Sequence, residues 1–221
     1  ELRRDFLLRM MFHVKPAFKS DYSKYLKALN QRNRLLKKKA RKQEVLAWSK
    51  ELIELGEIIK LEKENFFKLY CDSLYCYFGA IKKKYNLEFL PLTELKHYQG
   101  WSKSKTFSQA LEEDHEKDKV LGYTTTGPHR SDIIFNVKSK KAEDVLSRGQ
   151  QKLLILLIYL TIYPFLEKSF NSPSVFLIDD LSSELDNKNL NIIVKEILEA
   201  DTQIFASLIS TEGIEGEGPF F

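Results

Sequence analysis

Residues 175–178 read Val-Phe-Leu-Ile and run directly into two adjacent acids, Asp179 and Asp180. A short, wholly apolar strand of this kind suits a parallel sheet buried on both faces. Two carboxylates at its end are costly unless a cation neutralises them. Upstream, residues 146–151 read Leu-Ser-Arg-Gly-Gln-Gln and open an apolar segment expected to be a helix from Ser147 to about Lys168. A Ser hydroxyl and a Gly N–H at a helix start form a place where phosphate binds readily. Phosphate donors followed by paired carboxylates are the pieces that hold Mg²⁺ beside a nucleoside triphosphate. Each string also has a plain reading, as a helix cap with a glycine hinge and as a solvated strand end. Their order, one helix apart, favours the chemical reading.

A phosphate-cradling P-loop needs Gly-x-x-x-x-Gly-Lys-Ser/Thr. None of the nine glycines is followed by Lys, so that element is missing. The opening text, Arg3-Arg4-Asp5-Phe6-Leu7, reads as mid-domain and predicts an upstream part. With 221 residues, 43% apolar and 30% charged, the composition is that of a globular chain with a core. The longest apolar run, residues 153–160, is short for a membrane span of roughly 20 residues. Cys71 and Cys76 are not spaced for a disulfide or a zinc site, which predicts a reduced, cytoplasmic setting. His13, His97, His115 and His129 show no paired ligand spacing.

The net charge of +4 conceals a split: residues 19–85 carry +9 and residues 86–221 carry −7. Seven basic side chains and no acid fall within residues 32–42: Arg32, Arg34, Lys37, Lys38, Lys39, Arg41 and Lys42. On a projecting arm they are candidates for phosphate contacts to DNA, although a charge run is more often a solvated helix end. The arm itself is expected to be helical. Residues 20–39 suit a helix capped by Ser20 or Asp21, with Tyr22, Tyr25, Leu26, Leu29 and Leu36 on one face. From Glu44 to Lys84 apolar residues recur in steps of three and four, giving two or three antiparallel helices in all, with Gly56 as a soft point.

Beyond residue 86, strands are expected at 87–90, 123–126, 131–137, 174–178 and 203–207, with a turn at 99–101. Helices are expected at 107–119 and 187–200. The last strand–helix–strand run implies a right-handed βαβ unit.

Taken together these residues resemble the RecF family of bacterial recombination mediators, ABC-type relatives of Rad50 and SMC proteins. The resemblance rests on Arg3-Arg4-x-Phe6-Leu7, Phe12-His13-x-x-Pro16, Gln31-Arg32-Asn33, Gln99-Gly100-Trp101, Gly127-Pro128-His129-Arg130-x-Asp132, Leu146–Gln150 and Ile178-Asp179-Asp180-x-x-Ser183-Glu184-Leu185-Asp186, in that order. It implies an α/β fold: a helical arm inserted in an ABC-type (P-loop NTPase) head, of which the signature and Walker B half is present. The implied parts are the end of an N-terminal ATPase lobe (1–18), a mainly helical arm (19–117), the ABC half (118–210) and a divergent tail (211–221). Ser147, Gly149, Gln150, Ser183 and Asp186 would contact ATP held by a second subunit. Asp179 would orient Mg²⁺ through its water shell, and Asp180 would polarise the attacking water.

An Asp in that second place, where many ABC ATPases have Glu, predicts slow hydrolysis, and only in the full-length dimer. No His follows the last strand as a γ-phosphate sensor; Ser207, Ser210 or Thr211 stands there. The resemblance further implies ATP-dependent homodimerisation, binding to single-stranded DNA and single-strand/double-strand junctions, and recombinase loading at gaps in repair and the SOS response. RecR, with RecO, is the implied partner, and no membrane is involved. The alternative is a non-enzymatic helical DNA-binding or docking module that keeps an inactive ATPase remnant.

Overall fold

The computed structural model describes residues 2–88, 90, 93–137, 139–171 and 175–208. The side chains of residues 2–7 (Arg3, Arg4, Phe6 and Leu7 among them), Ser210, Thr211 and the 211–221 tail lie outside the described residues. By contacts the chain divides into two compact units, Glu1–Leu69 with Lys96–Ile134, and Tyr70–Leu95 with Phe135–Phe221.

In the first unit α1 (Leu2–Val14) leads into α2 (Pro16–Lys37), which starts at the proline and not at Ser20 or Asp21. Proline fixes φ near the helical value and lacks the N–H that a first turn leaves unpaired, so it begins the helix itself. The buried stripe of α2 is Phe18, Tyr22, Tyr25, Leu29, Arg32 and Leu36, alternating steps of four and three. Leu26, expected on this face, is exposed. Phe12, Phe18, Tyr22 and Tyr25 form a run of aromatic contacts with centroids 5.6–6.1 Å apart.

Residues 42–85 form one continuous helix, α3 (Lys42–Tyr85), so that of the two or three helices expected over residues 20–84 there are two. Within the first unit its buried stripe is Val45, Ser49, Leu52, Gly56, Ile59, Lys63 and Phe66. The three members that are not large and apolar each have a specific neighbour. Ser49 Oγ accepts a hydrogen bond from Arg32 Nε at 3.1 Å. Gly56 is no hinge: a Cβ there would stand 2.4 Å from Cε1 of Phe107, whose ring stacks on Trp101. Lys63 Nζ donates to the Pro128 carbonyl and to Ser131 Oγ, both at 2.8 Å. Burial pulls the Lys63 ammonium pKa down to about 8.

The expected helix over 107–119 is two short ones, α4 (Phe107–Glu113) and α5 (His115–Leu121). Thr106 and Gln109 cap α4 reciprocally. Asp114 divides the pair and accepts a hydrogen bond from Thr126 Oγ1. Residues 123–126 are not a strand, because side chains take their polar groups. Asn33 Oδ1 accepts from the N–H and hydroxyl of Thr124, and Asp118 Oδ1 accepts from those of Thr125. Gly100 and Gly127, both at positive φ, touch there: a Cβ on Gly100 would lie 2.0 Å from the Gly127 carbonyl oxygen.

The strand expected at 87–90 is displaced to β1 (Thr93–Tyr98). Leu87 and Leu90 are buried in a turn instead. β1 belongs to a three-stranded sheet, in the order β1, β2 (Asp132–Val137), β3 (Lys140–Lys141).

The second unit holds α6 (Ala142–Val145), α7 (Arg148–Leu160), α8 (Ile162–Phe170), β4 (Val175–Ile178), α9 (Asn187–Glu199) and β5 (Gln203–Ala206). β4 and β5 pair in parallel, with Val175 opposite Gln203 and Ile178 opposite Ala206. The single helix expected at 147–168 breaks at Thr161 because Pro164 cannot donate to the Leu160 carbonyl. Tyr70 Oη closes that break with hydrogen bonds to the Ile158 carbonyl and Thr161 Oγ1, both 2.9 Å. By length and composition residues 148–170 could cross a membrane. Here Leu153, Leu154, Leu156, Leu157, Ile158 and Leu160 are buried within the protein.

Neither β4 nor β5 is buried on both faces as expected. Val175, Leu177 and Phe205 are 57%, 79% and 56% exposed. Side chains alternate along a strand, and the described residues cover only one face of this two-stranded pair.

Candidate functional site

The site begins with the cap of α7. Ser147 Oγ accepts from the Gln150 N–H at 3.2 Å, and Gln150 Oε1 accepts from the Ser147 N–H at 3.0 Å. This reciprocal box fixes both side chains without exhausting them. The Ser147 O–H proton and the Gln150 amide protons remain available to donate. Helix geometry leaves the N–H groups of Arg148 and Gly149 without intrahelical acceptors. Gly149 sits in close approach: a Cβ there would stand 3.0 Å from the Glu184 carbonyl oxygen.

Ser147 and Gln150 line a cleft of about 480 Å³ together with Asp186, Lys188 and Asn189 of the α9 start. Asp186 caps α9 through its Oδ1, which accepts from the Asn189 N–H at 2.8 Å. The structure therefore brings Ser147, Gln150 and Asp186 to one opening. Gly149 and Ser183 are placed beside them without lining the cleft. Ser183 contributes its carbonyl, which accepts from Lys152 Nζ at 2.6 Å; the Asp180 carbonyl accepts from the same ammonium at 2.8 Å. Lys152 thus clasps the 180–183 loop from α7. The sequence reading missed it, and only its position one turn after Gly149 hinted at a role.

Asp179 and Asp180 form a second cluster with Ser207. Ser207 Oγ donates to Asp179 Oδ1 and accepts from the Asp180 N–H, each at 2.7 Å. The Ser207 N–H reaches the Ile178 carbonyl at 2.9 Å, and the Ser207 carbonyl accepts from the Leu181 N–H at 2.9 Å. This binds the end of β4 to the end of β5. Asp180 has φ +49° and Glu184 has φ +61°, left-handed backbone that a side chain adopts at a cost. Both carboxylates of the pair are exposed. Adjacent hard oxygen donors fit Mg²⁺ held largely through its own water. Among the described residues no group of three or more His, Cys, Asp or Glu converges as a complete metal cage.

The basic candidates lie in the first unit. Arg34, Lys37, Lys38, Lys39, Arg41 and Lys42 are exposed. Arg32 is not, and this corrects its assignment to a DNA surface. Its side chain is 1% exposed, with Nη1 2.8 Å from Asp118 Oδ2 and 2.6 Å from Thr124 Oγ1, and Asp118 is 0% exposed. A guanidinium on the buried stripe of α2 has to be paired inside the protein, and this one is. His129 of the Gly-Pro-His-Arg string is likewise committed. Its Nδ1 meets Tyr25 Oη at 2.6 Å and its Nε2 meets the Thr124 carbonyl at 3.2 Å. Burial, with help from nearby cations, pushes the His129 pKa down to about 4.

No protein-family model matches the chain. Curated relatives do. The chain is 34% identical over 214 residues to the DNA replication and repair protein RecF of Vibrio vulnificus, covering 96% of this chain and 57% of that protein. It is 34% identical over 217 residues to RecF of Teredinibacter turnerae and 35% over 216 residues to RecF of Psychromonas ingrahamii, covering 56% and 58% of those proteins. The chain thus spans somewhat over half the length of the curated relatives it matches. Two solved structures of the recombination mediator protein RecF in the RecFOR pathway share the fold. RecF-ATPrS superposes with a TM-score of 0.76 at 22% identity, over 97% of this chain and 59% of that one. RecF-ATP gives 0.75 at 21% identity, over 95% and 58%. The architecture is accordingly the fold of RecF, and over the matched residues the chain is similar to somewhat over half of the DNA replication and repair protein RecF.

Proposed function

We propose that this chain is the signature and Walker B part of a RecF-type recombination mediator acting in DNA replication and repair. The observation that carries the reading is the division of its polar groups into two clusters. Ser147, Gln150 and Asp186 open onto one cleft, whereas Asp179 and Asp180 are tied to Ser207 at the strand ends. Two clusters suit a composite site in which each copy donates to a nucleotide held by the other.

In this reading Ser147 Oγ and the Arg148 and Gly149 N–H groups donate to the terminal phosphate of ATP bound by a second copy, with Gly149 admitting close backbone approach. Gln150 and Asp186 border the same nucleotide, and Ser183 holds the loop that joins the two clusters. Asp179 would hold Mg²⁺ there, and the ion would supply neutralisation of phosphate charge. Asp180 orients and polarises the attacking water, at the slow rate expected of its short side chain.

The same reading gives residues 1–18, 19–117, 118–210 and 211–221 as lobe end, arm, ATPase half and tail. It gives homodimerisation on ATP, binding to single-stranded DNA and gap junctions through Arg34, Lys37, Lys38, Lys39, Arg41 and Lys42, and RecR and RecO as partners. The names of the relatives and of the two RecF structures support the DNA-repair and ATP components. In the full-length protein, Asp179→Asn is expected to abolish hydrolysis while ATP binding persists. Hydrolysis equal to the parent's would overturn the role of Asp179, and no hydrolysis by either protein would favour a module that binds DNA without ATPase chemistry.

A further inference from the structure

Sequence places all the candidate DNA-contacting charges on one stretch, residues 32–42. The structure adds a second element to that stretch. A small pocket of about 60 Å³ is lined by Leu36, Lys39, Ala40, Lys42 and Val45 on one side and by His115, Glu116 and Lys119 of α5 on the other. That volume admits a few water-sized probes, room for one small polar group such as a phosphate and not for a nucleotide. Its floor is apolar, since Leu36 and Val45 are each 2% exposed. Three lysines and a histidine face it. Lys39 and Lys42 meet no carboxylate among the described residues. The one acid on the rim, Glu116, has a 78% exposed side chain and stands 3.7 Å from Lys119.

The pocket is built on fixed parts. The buried Arg32–Asp118 ion pair joins α2 to α5 one turn from the rim residues Leu36 and His115 and next to Lys119. Lys39 holds left-handed backbone at φ +52°, which turns the chain sharply between α2 and α3. Against Gly122, at the end of α5, a Cβ would stand 3.1 Å from Lys37 Cγ, so the two elements are in close contact. The cations of α5 are thus held beside those of the turn by the fold and not by chance orientation of long side chains.

We propose that this pocket at the α2–α3 turn is a binding site for a nucleic-acid backbone phosphate, with Lys39, Lys42 and Lys119 as its charges and His115 as a further donor. This rests on the DNA-binding reading above and adds α5 to it. Arg32 acts here as a positioning residue. Phosphate contacts supply affinity without reading sequence, and each one lost lowers the salt dependence by a known amount.

The test uses the full-length protein and a fluorescent oligonucleotide, in single-stranded and gapped-duplex forms, titrated over a range of salt. Lys119→Gln is expected to reduce the slope of log K against log salt by about 0.7 on single strands or about 0.9 on duplex, and the Lys39→Gln/Lys42→Gln pair by about twice that. Lys117→Gln, on the same helix but outside the pocket, is expected to leave the slope unchanged, and Glu116→Gln to tighten binding. If Arg34→Gln and Lys38→Gln weaken binding while Lys119→Gln and the pair are silent, the pocket is wrong and the DNA-binding reading stands. If Lys117→Gln acts as strongly as Lys119→Gln, the effect is general charge and the site is refuted. If the parent shows no salt-dependent binding, both readings fall.

Discussion

Replacing Arg32 separates a buried structural cation from a DNA-contacting one. Its guanidinium spans three partners, Asp118, Thr124 and Ser49, in a region where both members of the ion pair are no more than 1% exposed. Arg32→Ala leaves the Asp118 carboxylate buried with only the Thr125 N–H and hydroxyl as donors. Breaking a buried pair by removing one partner costs about 3–5 kcal/mol. At roughly 2–4 °C per kcal/mol for a chain of this size, the melting temperature should fall by about 6–20 °C. Thermal and urea melts of the parent and of Arg32→Ala measure this. The double replacement Arg32→Met/Asp118→Leu, which removes both charges, should recover much of the loss. The reasoning fails if Arg32→Ala melts within about 1 kcal/mol of the parent yet loses DNA affinity, because that is the behaviour of a solvent-facing phosphate contact.

The two helical glycines of α3 should respond with opposite signs. Gly56→Ala drives a Cβ into the Phe107 ring and should destabilise by about 1–3 kcal/mol; Gly79→Ala meets nothing within 4 Å and should stabilise by about 0.4–1 kcal/mol. Urea midpoints decide the signs. His97 and His129 are both pushed down to about 4, His97 by burial and then Lys63 and Lys103. Each favours the neutral ring in the fold, so its contribution is complete above pH 6.5, declines as pH falls and is lost by about pH 4. His129→Gln should flatten the stability profile across pH 4–6.5 by about 3 kcal/mol, and an unchanged profile would count against the burial of that ring. Lys63, held near 8, works at the other end: stability should rise between pH 8 and 10.5 as the unfolded chain binds the extra proton, and Lys63→Met should remove that rise.

The helical character of the arm and the αβ order of the last third were legible because apolar spacing of three to four, and a short apolar run before acids, have direct geometric consequences. The cap at Ser147 was legible as a hydroxyl placed directly before an apolar helical run. What escaped was decided by tertiary partners. Arg32 occupies a regular step of the 18-22-25-29-32-36 ladder, and that ladder is the signal that it is buried. Charge counting, which looks along the chain and not around the helix, concealed it. Gly56 reads as a weak point until Phe107 is seen against it. Pro164 was the available cue to the break after α7, and Pro16 to the start of α2. Residues 123–126 have strand-like composition, yet Asn33 and Asp118 take the hydrogen bonds a strand would need. Lys152 was invisible because its partners are backbone carbonyls 28 and 31 residues away.

In the proposed function the Ser147 cap engages a nucleotide held by another copy. Sedimentation of full-length Ser147→Arg with a slowly hydrolysed ATP analogue, alongside a nucleotide-binding titration, tests it most directly. Nucleotide affinity equal to the parent's is expected, with the variant remaining monomeric while the parent dimerises. Dimerisation of Ser147→Arg to the parent's extent would contradict it.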